Sequence, residues 1–199
     1  MSALSKVVLE VEDTAAAELF YKTLGVSDYV EVRQATEPST GFRGFTLSLV
    51  CSQPANVDAF VSAALAAGAT AIKPATKSFW GYGGVLQAPD GTLWKVAASS
   101  KKDSAPVEQR FEDLVLLLGV ADVKATKQFY ADKGLGIAKS FGSKYVEFDA
   151  APVKLALYGR KAAAKDAGVS PEGSGSHRLV VAGSLGAFSD PDGFVWETR

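Results

Sequence analysis

The residues of this chain that could do chemistry are few, and most reaction types fail on them at once. Histidine occurs once, as His177, and cysteine once, as Cys51. A Ser or Cys nucleophile needs an adjacent base, so only an encounter of Cys51 with His177 across the chain would serve. As the sole cysteine, Cys51 reads instead as a small buried apolar residue. A G-x-S-x-G elbow is absent, and Gly173-Ser174-Gly175 lacks the Lys-Ser/Thr context of a phosphate loop. What remains is a vocabulary for binding. Phe79-Trp80-Gly81-Tyr82-Gly83-Gly84 sets aromatics among glycines. Glycine lets backbone approach closely, while Trp80 and Tyr82 offer flat apolar faces with a polar handle. Phe42, Arg43 and Phe45 form a second aromatic and cationic group that could close over the same pocket.

The elements that must position these residues occur twice. Asp13 to Tyr21, closed by Leu24-Gly25, is echoed by Asp122 to Tyr130, closed by Leu135-Gly136, and each follows a strand-like apolar run. Ala88-Pro89-Asp90-Gly91 with Trp94 and Lys95 is echoed by Asp190-Pro191-Asp192-Gly193 with Trp196 and Glu197. An Asp ahead of Ala- and Lys-rich sequence caps a helix, Phe-Tyr supplies its apolar stripe, and Leu-Gly ends it. Pro-Asp-Gly makes a turn from which a strand must leave. Strand alternation sends Trp94 and Trp196 to the core and their neighbours to the other face. Asn56 is expected to open a further helix over Val57 to Ala67. Many short strands with few long helices make the class α+β. The polar, proline-containing run from Ser99 to Glu108 reads as a linker, giving units over 1–99 and 109–199 joined by 100–108. After Tyr158, Gly159 to Lys165 reads as a short basic helix, solvated or serving with the Ser170–Ser176 loop as a lid.

The bulk numbers exclude several partners. Across 199 residues, 21 Lys+Arg face 22 Asp+Glu, and apolar residues make up 47%. Charge balance gives no nucleic-acid footprint, and the apolar share affords a core. A lone cysteine suits a reducing compartment. Met1–Lys6 shows no signal-peptide pattern and no apolar run is long enough to cross a bilayer. The expectation is a cytoplasmic protein with no membrane partner.

The strand, the D-x6-F-Y helix closed by L-G, and the P-D-G-x-x-W strand resemble the vicinal oxygen chelate superfamily, which includes glyoxalase I, extradiol dioxygenases and bleomycin-resistance proteins. The resemblance spans nearly the whole chain, once per half. It implies tandem βαβββ modules that form curved mixed sheets with flanking helices around a ligand cup. Both halves depart from the full pattern: sequence is short between Tyr29–Arg33 and Phe45–Cys51 in the first, and between His177–Val181 and Gly186–Phe188 in the second. The shortenings are complementary, so each half is expected to complete the other. The family's enzymes hold a divalent ion with His, Gln or Glu on the first and last strands of their modules. Those positions here carry Lys6 and Lys95 in the first half, and Val115 and Glu197 in the second, with His177 at the start of a strand. Two lysines repel a cation; as cup-lining residues they would meet an anionic group on a ligand. His177 and Glu197 are the candidate metal pair, for Zn, Ni, Fe or Mn, with Tyr158 or Glu147 as a third donor. The expected function is metal-independent sequestration of a small molecule, with no cofactor, in a cup lined by Lys6, Phe42, Phe45, Trp80, Tyr82, Lys95 and Tyr158. The alternative is a metal-dependent glyoxalase-like lyase or isomerase, or a dioxygenase; a third reading is a degenerate, partner-binding protein. Internal duplication allows a monomer, and a homodimer is equally open.

Overall fold

A computed structural model describes residues 3–199; of Met1–Lys6, residues 1 and 2 lie outside the described residues. The first half supplies β1 (Lys6–Val11), α1 (Thr14–Thr23), β2 (Val30–Gln34), β3 (Ser39–Gly41), β4 (Phe45–Cys51), α2 (Pro54–Ala66), β5 (Thr70–Ser78), β6 (Gly81–Gln87) and β7 (Leu93–Ala98). The second supplies β8 (Asp113–Val120), α3 (Val123–Asp132), β9 (Ile137–Phe141), β10 (Tyr145–Phe148), β11 (Val153–Gly159) and α4 (Arg160–Ala167). It ends with β12 (Gly173–Gly175), β13 (Leu179–Gly183), β14 (Phe188–Ser189) and β15 (Val195–Thr198). The class is α+β, and none of the helices among the described residues is long and apolar enough to cross a membrane.

Both large sheets draw on both halves. The eight-stranded sheet runs β5-β6-β7-β4-β8-β11-β10-β9, and the five-stranded sheet runs β14-β15-β13-β1-β2. In the first, a complete β4-α2-β5-β6-β7 module meets a complete β8-α3-β9-β10-β11 module along an antiparallel β4–β8 seam, with Leu47 opposite Leu116. In the second, β1 and β2 receive β13 and its neighbours, with Val7 opposite Val181. The strands that look missing from each half are thus made good by the other half. A third, two-stranded sheet pairs β3 with β12.

Local chemistry explains the helices. Asp13 accepts from the Ala16 amide at 3.0 Å, and Asp122 from the Lys124 and Ala125 amides at 2.9 and 3.0 Å, satisfying donors a helix start leaves free. The helix expected from Asn56 starts earlier, at Pro54, whose fixed φ suits a first helical position. Asn56 is occupied otherwise: its Oδ1 accepts from the Glu108 amide at 2.9 Å. The cap comes from the 100–108 segment, where Asp103 Oδ1 accepts from the Ala55 amide at 2.7 Å. Buried Gln53 accepts from the Ser104 and Ala105 amides at 2.8 and 2.9 Å and donates to the Ala105 and Pro106 carbonyls at 3.0 and 3.1 Å. The polar segment is therefore pinned along α2, although its composition reads as flexible.

The helices of the repeated motif lie between the sheets. Tyr21 of α1 packs on Trp94 of β7 at 5.8 Å, and Tyr130 of α3 on Trp196 of β15 at 5.6 Å between ring centroids. Each helix thereby bridges from its own sheet to the other. The phenols donate to Asp90 at 2.5 Å and to Asp190 at 2.7 Å. Burial pushes Asp190 above the usual carboxylate range, partly offset by that bond and by the Phe194 and Asp192 amides. Both tryptophans are buried, as alternation requires. Cys51 is buried too, and burial pushes its thiol up to about 11. One continuous core runs through β1, α1, β4, β8, α3 and β13.

Candidate functional site

With one face of the eight-stranded sheet turned to the helices, the other is free to form a cup. Register places Lys95 opposite Ser48, Ser48 opposite Val115, and Val115 opposite Lys154. These four side chains form one row across β7, β4, β8 and β11, and neighbours in register share a face. Above this floor lies a cavity of about 560 Å³ lined by Trp80, Lys95, Val115, Phe141, Tyr145, Tyr158 and Asp166, among others. Trp80 comes from the β5–β6 turn and Phe141 from the last position of β9, at opposite ends of the strand order. Only a strongly curled sheet brings both to one cavity.

The polar groups of the cup are paired. Lys95 Nζ lies 2.8 Å from Asp166 Oδ2, and Lys154 Nζ lies 2.8 Å from Asp113 Oδ2. Tyr145 donates to Glu147 at 3.3 Å. Burial first, and the Glu147 charge second, push the Tyr145 phenol up to about 12, so it is a neutral donor across the physiological range. Its ring meets Tyr158 edge to face at 6.2 Å and Phe141 at 6.1 Å.

Helix α4 closes one end of the cup. Expected as a solvated helix or a lid, it has one buried face: Ala163, Ala164 and Ala167 pack on Phe42, Val85 and Leu93. It is tied at both ends. Arg160 Nη2 donates to the Phe42 carbonyl at 2.6 Å, and Lys73 Nζ donates to the Lys165 and Asp166 carbonyls at 2.9 and 2.6 Å. The alanines explain the difference: small side chains let the helix sit directly on the sheet, which its charges conceal in sequence.

Of the residues read as cup-lining, Trp80, Lys95 and Tyr158 meet in this cavity. Tyr82 lies in an adjoining space of about 430 Å³ that shares Trp80, Lys95 and Asp166, with its hydroxyl donating to Asp58 at 2.7 Å. Phe42 and Phe45 line a separate cavity of about 260 Å³ beside Val169 and Glu172. Lys6 stands on the other sheet, opposite Ala182, which in turn faces Glu197. Glu197 is held by Arg33 at 3.1 Å and by Arg199 at 3.1 Å. His177 precedes β13 and does not join that row. Its Nδ1 lies 2.6 Å from the Arg43 carbonyl, its Nε2 3.0 Å from the Asp192 carbonyl, and its ring stacks on Phe194 at 4.0 Å. Both ring nitrogens are thus turned to backbone. Sequence reasoning passed over Ser48, Phe141, Tyr145 and Asp166; only their strand phase, once the β4–β8 seam is known, picks out the first three.

Neither protein-family models nor the sequences of curated proteins give a match. Solved structures do. Glyoxalase I from Zea mays is similar over 100% of this chain and 92% of its own, with a TM-score of 0.63 at 13% identity. A candidate dioxygenase from Bacillus subtilis is similar over 99% of this chain and 84% of its own, with a TM-score of 0.59 at 10% identity. The chain has the vicinal oxygen chelate fold. At such identities the likeness establishes the architecture, and one architecture hosts many chemistries.

In a vicinal oxygen chelate fold a divalent ion would need N and O donors converging at about 2 Å. The row on the larger sheet offers Lys95, Ser48, Val115 and Lys154, two ammonium groups already paired with carboxylates and one apolar side chain. The row on the smaller sheet offers Lys6, Ala182 and a Glu197 clamped by two arginines. Among the described residues no three His, Cys, Asp or Glu side chains stand together to hold an ion. The donor set in neither row fits a metal.

Proposed function

We propose that the cup on the eight-stranded sheet holds a small organic molecule without a metal ion, sequestering it in the manner of bleomycin-resistance proteins. The observation that carries this is the convergence of Trp80, Phe141, Tyr145 and Tyr158 around the Lys95–Asp166 pair in one cavity of about 560 Å³. An apolar, aromatic wall with a few polar groups is what a small-molecule site requires. Its size falls within the range of about 300–1,000 Å³ usual for such sites. Among the described residues lining the cup there is no histidine or cysteine, and its lysine and its carboxylate are paired with each other, so holding the ligand is the role its residues support. The rival reading, a metal-dependent lyase, isomerase or dioxygenase, needs a Lewis acid to polarise a carbonyl or bind vicinal oxygens.

Metal content separates the two. Protein purified without chelator or histidine tag, soaked with zinc, nickel, iron and manganese and then desalted, is expected to retain less than about a tenth of an equivalent by plasma mass spectrometry. About one equivalent, lost on His177→Ala or Glu197→Gln, would establish the metal pair and overturn the metal-independent reading.

A further inference from the structure

We infer that the cup takes a planar, uncharged aromatic ligand, clamped between Trp80 and Phe141 and recognised along one edge by Lys95 and Asp166; this rests on the cup being the binding site. Trp80 is 84% exposed and Phe141 65% exposed. A single exposed aromatic needs no explanation. These two differ because of where the fold puts them. The module β4-α2-β5-β6-β7 and the module β8-α3-β9-β10-β11 repeat one element order and meet through their first strands at the antiparallel β4–β8 seam, so the β5–β6 and β9–β10 hairpins are topologically equivalent. Each hairpin carries a large aromatic ring at its end, Trp80 within the β5–β6 turn and Phe141 as the last residue of β9, and both rings line the same cavity. The β5–β6 turn is built for close approach: a Cβ on Gly81, whose φ is +142°, would collide with the Ala98 carbonyl, so the chain turns there tightly and leaves Trp80 at the tip.

The wall between the jaws is also aromatic. Phe141, Tyr145 and Tyr158 form a chain of rings at 6.1 and 6.2 Å. Flat π faces reward a flat π ligand more than an aliphatic one of equal size.

Charge decides the rest. Lys95, Lys139 and Lys154 are matched by Asp166, Glu147 and Asp113 at 2.8, 3.9 and 2.8 Å. The floor therefore has no surplus charge to attract an anion or a cation. The Lys95 ammonium keeps two further donors and the Asp166 carboxylate keeps free lone pairs, and both side chains are about two-fifths exposed. An edge with an acceptor next to a donor, as in a lactam fused to an aromatic ring, satisfies both at once. Sequence reading of Lys95 as the partner of an anionic group changes accordingly, because Asp166 already supplies the counter-charge.

The probe is carbostyril, a bicyclic aromatic lactam, against octahydrocarbostyril, its saturated counterpart, and N-methylcarbostyril, which lacks the donor. Calorimetric titration of the full chain is expected to give carbostyril at least about tenfold tighter than the saturated compound, as stacking on exposed rings implies. Phe141→Leu and Trp80→Leu, both at exposed tips and expected to leave thermal unfolding unchanged, should abolish that preference. Asp166→Asn should weaken carbostyril more than N-methylcarbostyril. Equal affinity for the flat and saturated lactams would overturn the aromatic clamp and leave the cup as a binding site. Binding of neither would overturn the clamp as well; the cup itself then stands or falls on whether other organic compounds bind it and are displaced when it is filled.

Discussion

Split between Lys101 and Lys102, the chain is expected to yield two fragments that are unfolded or aggregated alone and that fold together on mixing. Fragment 1–101 would carry β4 with no partner on its β8 side, and β1 with no β13. Fragment 102–199 would leave the β8 edge open and strand β13 and β15 without β1. Open apolar edges of this kind pair with whatever they meet. The core offers no refuge, because Leu47 and Leu49 pack in the same cluster as Leu114, Leu116 and Leu118. Gln53 and Asp103 add hydrogen bonds that cross the cut. Circular dichroism and size-exclusion chromatography read the outcome. Two monomeric, cooperatively folding fragments would contradict it and would mean that each half buries enough surface by itself.

Leu116→Ala is expected to cost about 2–5 kcal/mol of stability, the range for truncating a fully buried leucine. At this chain length that lowers Tm by roughly 10 °C. Leu116 has no exposed surface, lies opposite Leu47 across the seam and opposite Leu155 on its other side, and faces the helix layer. A cavity there is walled by strands of both halves, which limits collapse. Its neighbour Leu117 faces the cup side and packs on α4, so Leu117→Ala should cost less. Chemical denaturation of both variants checks the order; equal losses would mean that the two faces of β8 are not distinguished as the register requires.

Much of this architecture could be read from sequence because it is local. Asp13 and Asp122 cap helices within three residues of themselves, and Trp94 and Trp196 are sent to the core by strand alternation alone. The duplicated order of these signals identified the fold that the solved structures share. Complementary shortening also pointed to completion of each half by the other. What stayed hidden depends on partners distant in sequence. Asp166 becomes a cup residue only because Lys95 meets it 71 positions away, and α4 hides a buried alanine face among its charges. The 100–108 segment is polar, yet Gln53 pins it from more than 50 residues upstream. His177 drew notice as the only histidine, but its ring serves to bridge two backbone carbonyls.

Thermal unfolding of the wild-type chain and of Ala97→Trp, with a library of small organic compounds and excess chelator present, tests the central claim most directly. Ala97 lines both the cup and its adjoining space, and an indole there fills the room a ligand would take. A ligand at about a hundred times its Kd stabilises by about 2.7 kcal/mol, enough to raise Tm by several degrees. Compounds that raise Tm of the wild type are predicted to leave Ala97→Trp unmoved. Equal shifts in the filled chain would contradict the account and place the ligand elsewhere in the molecule.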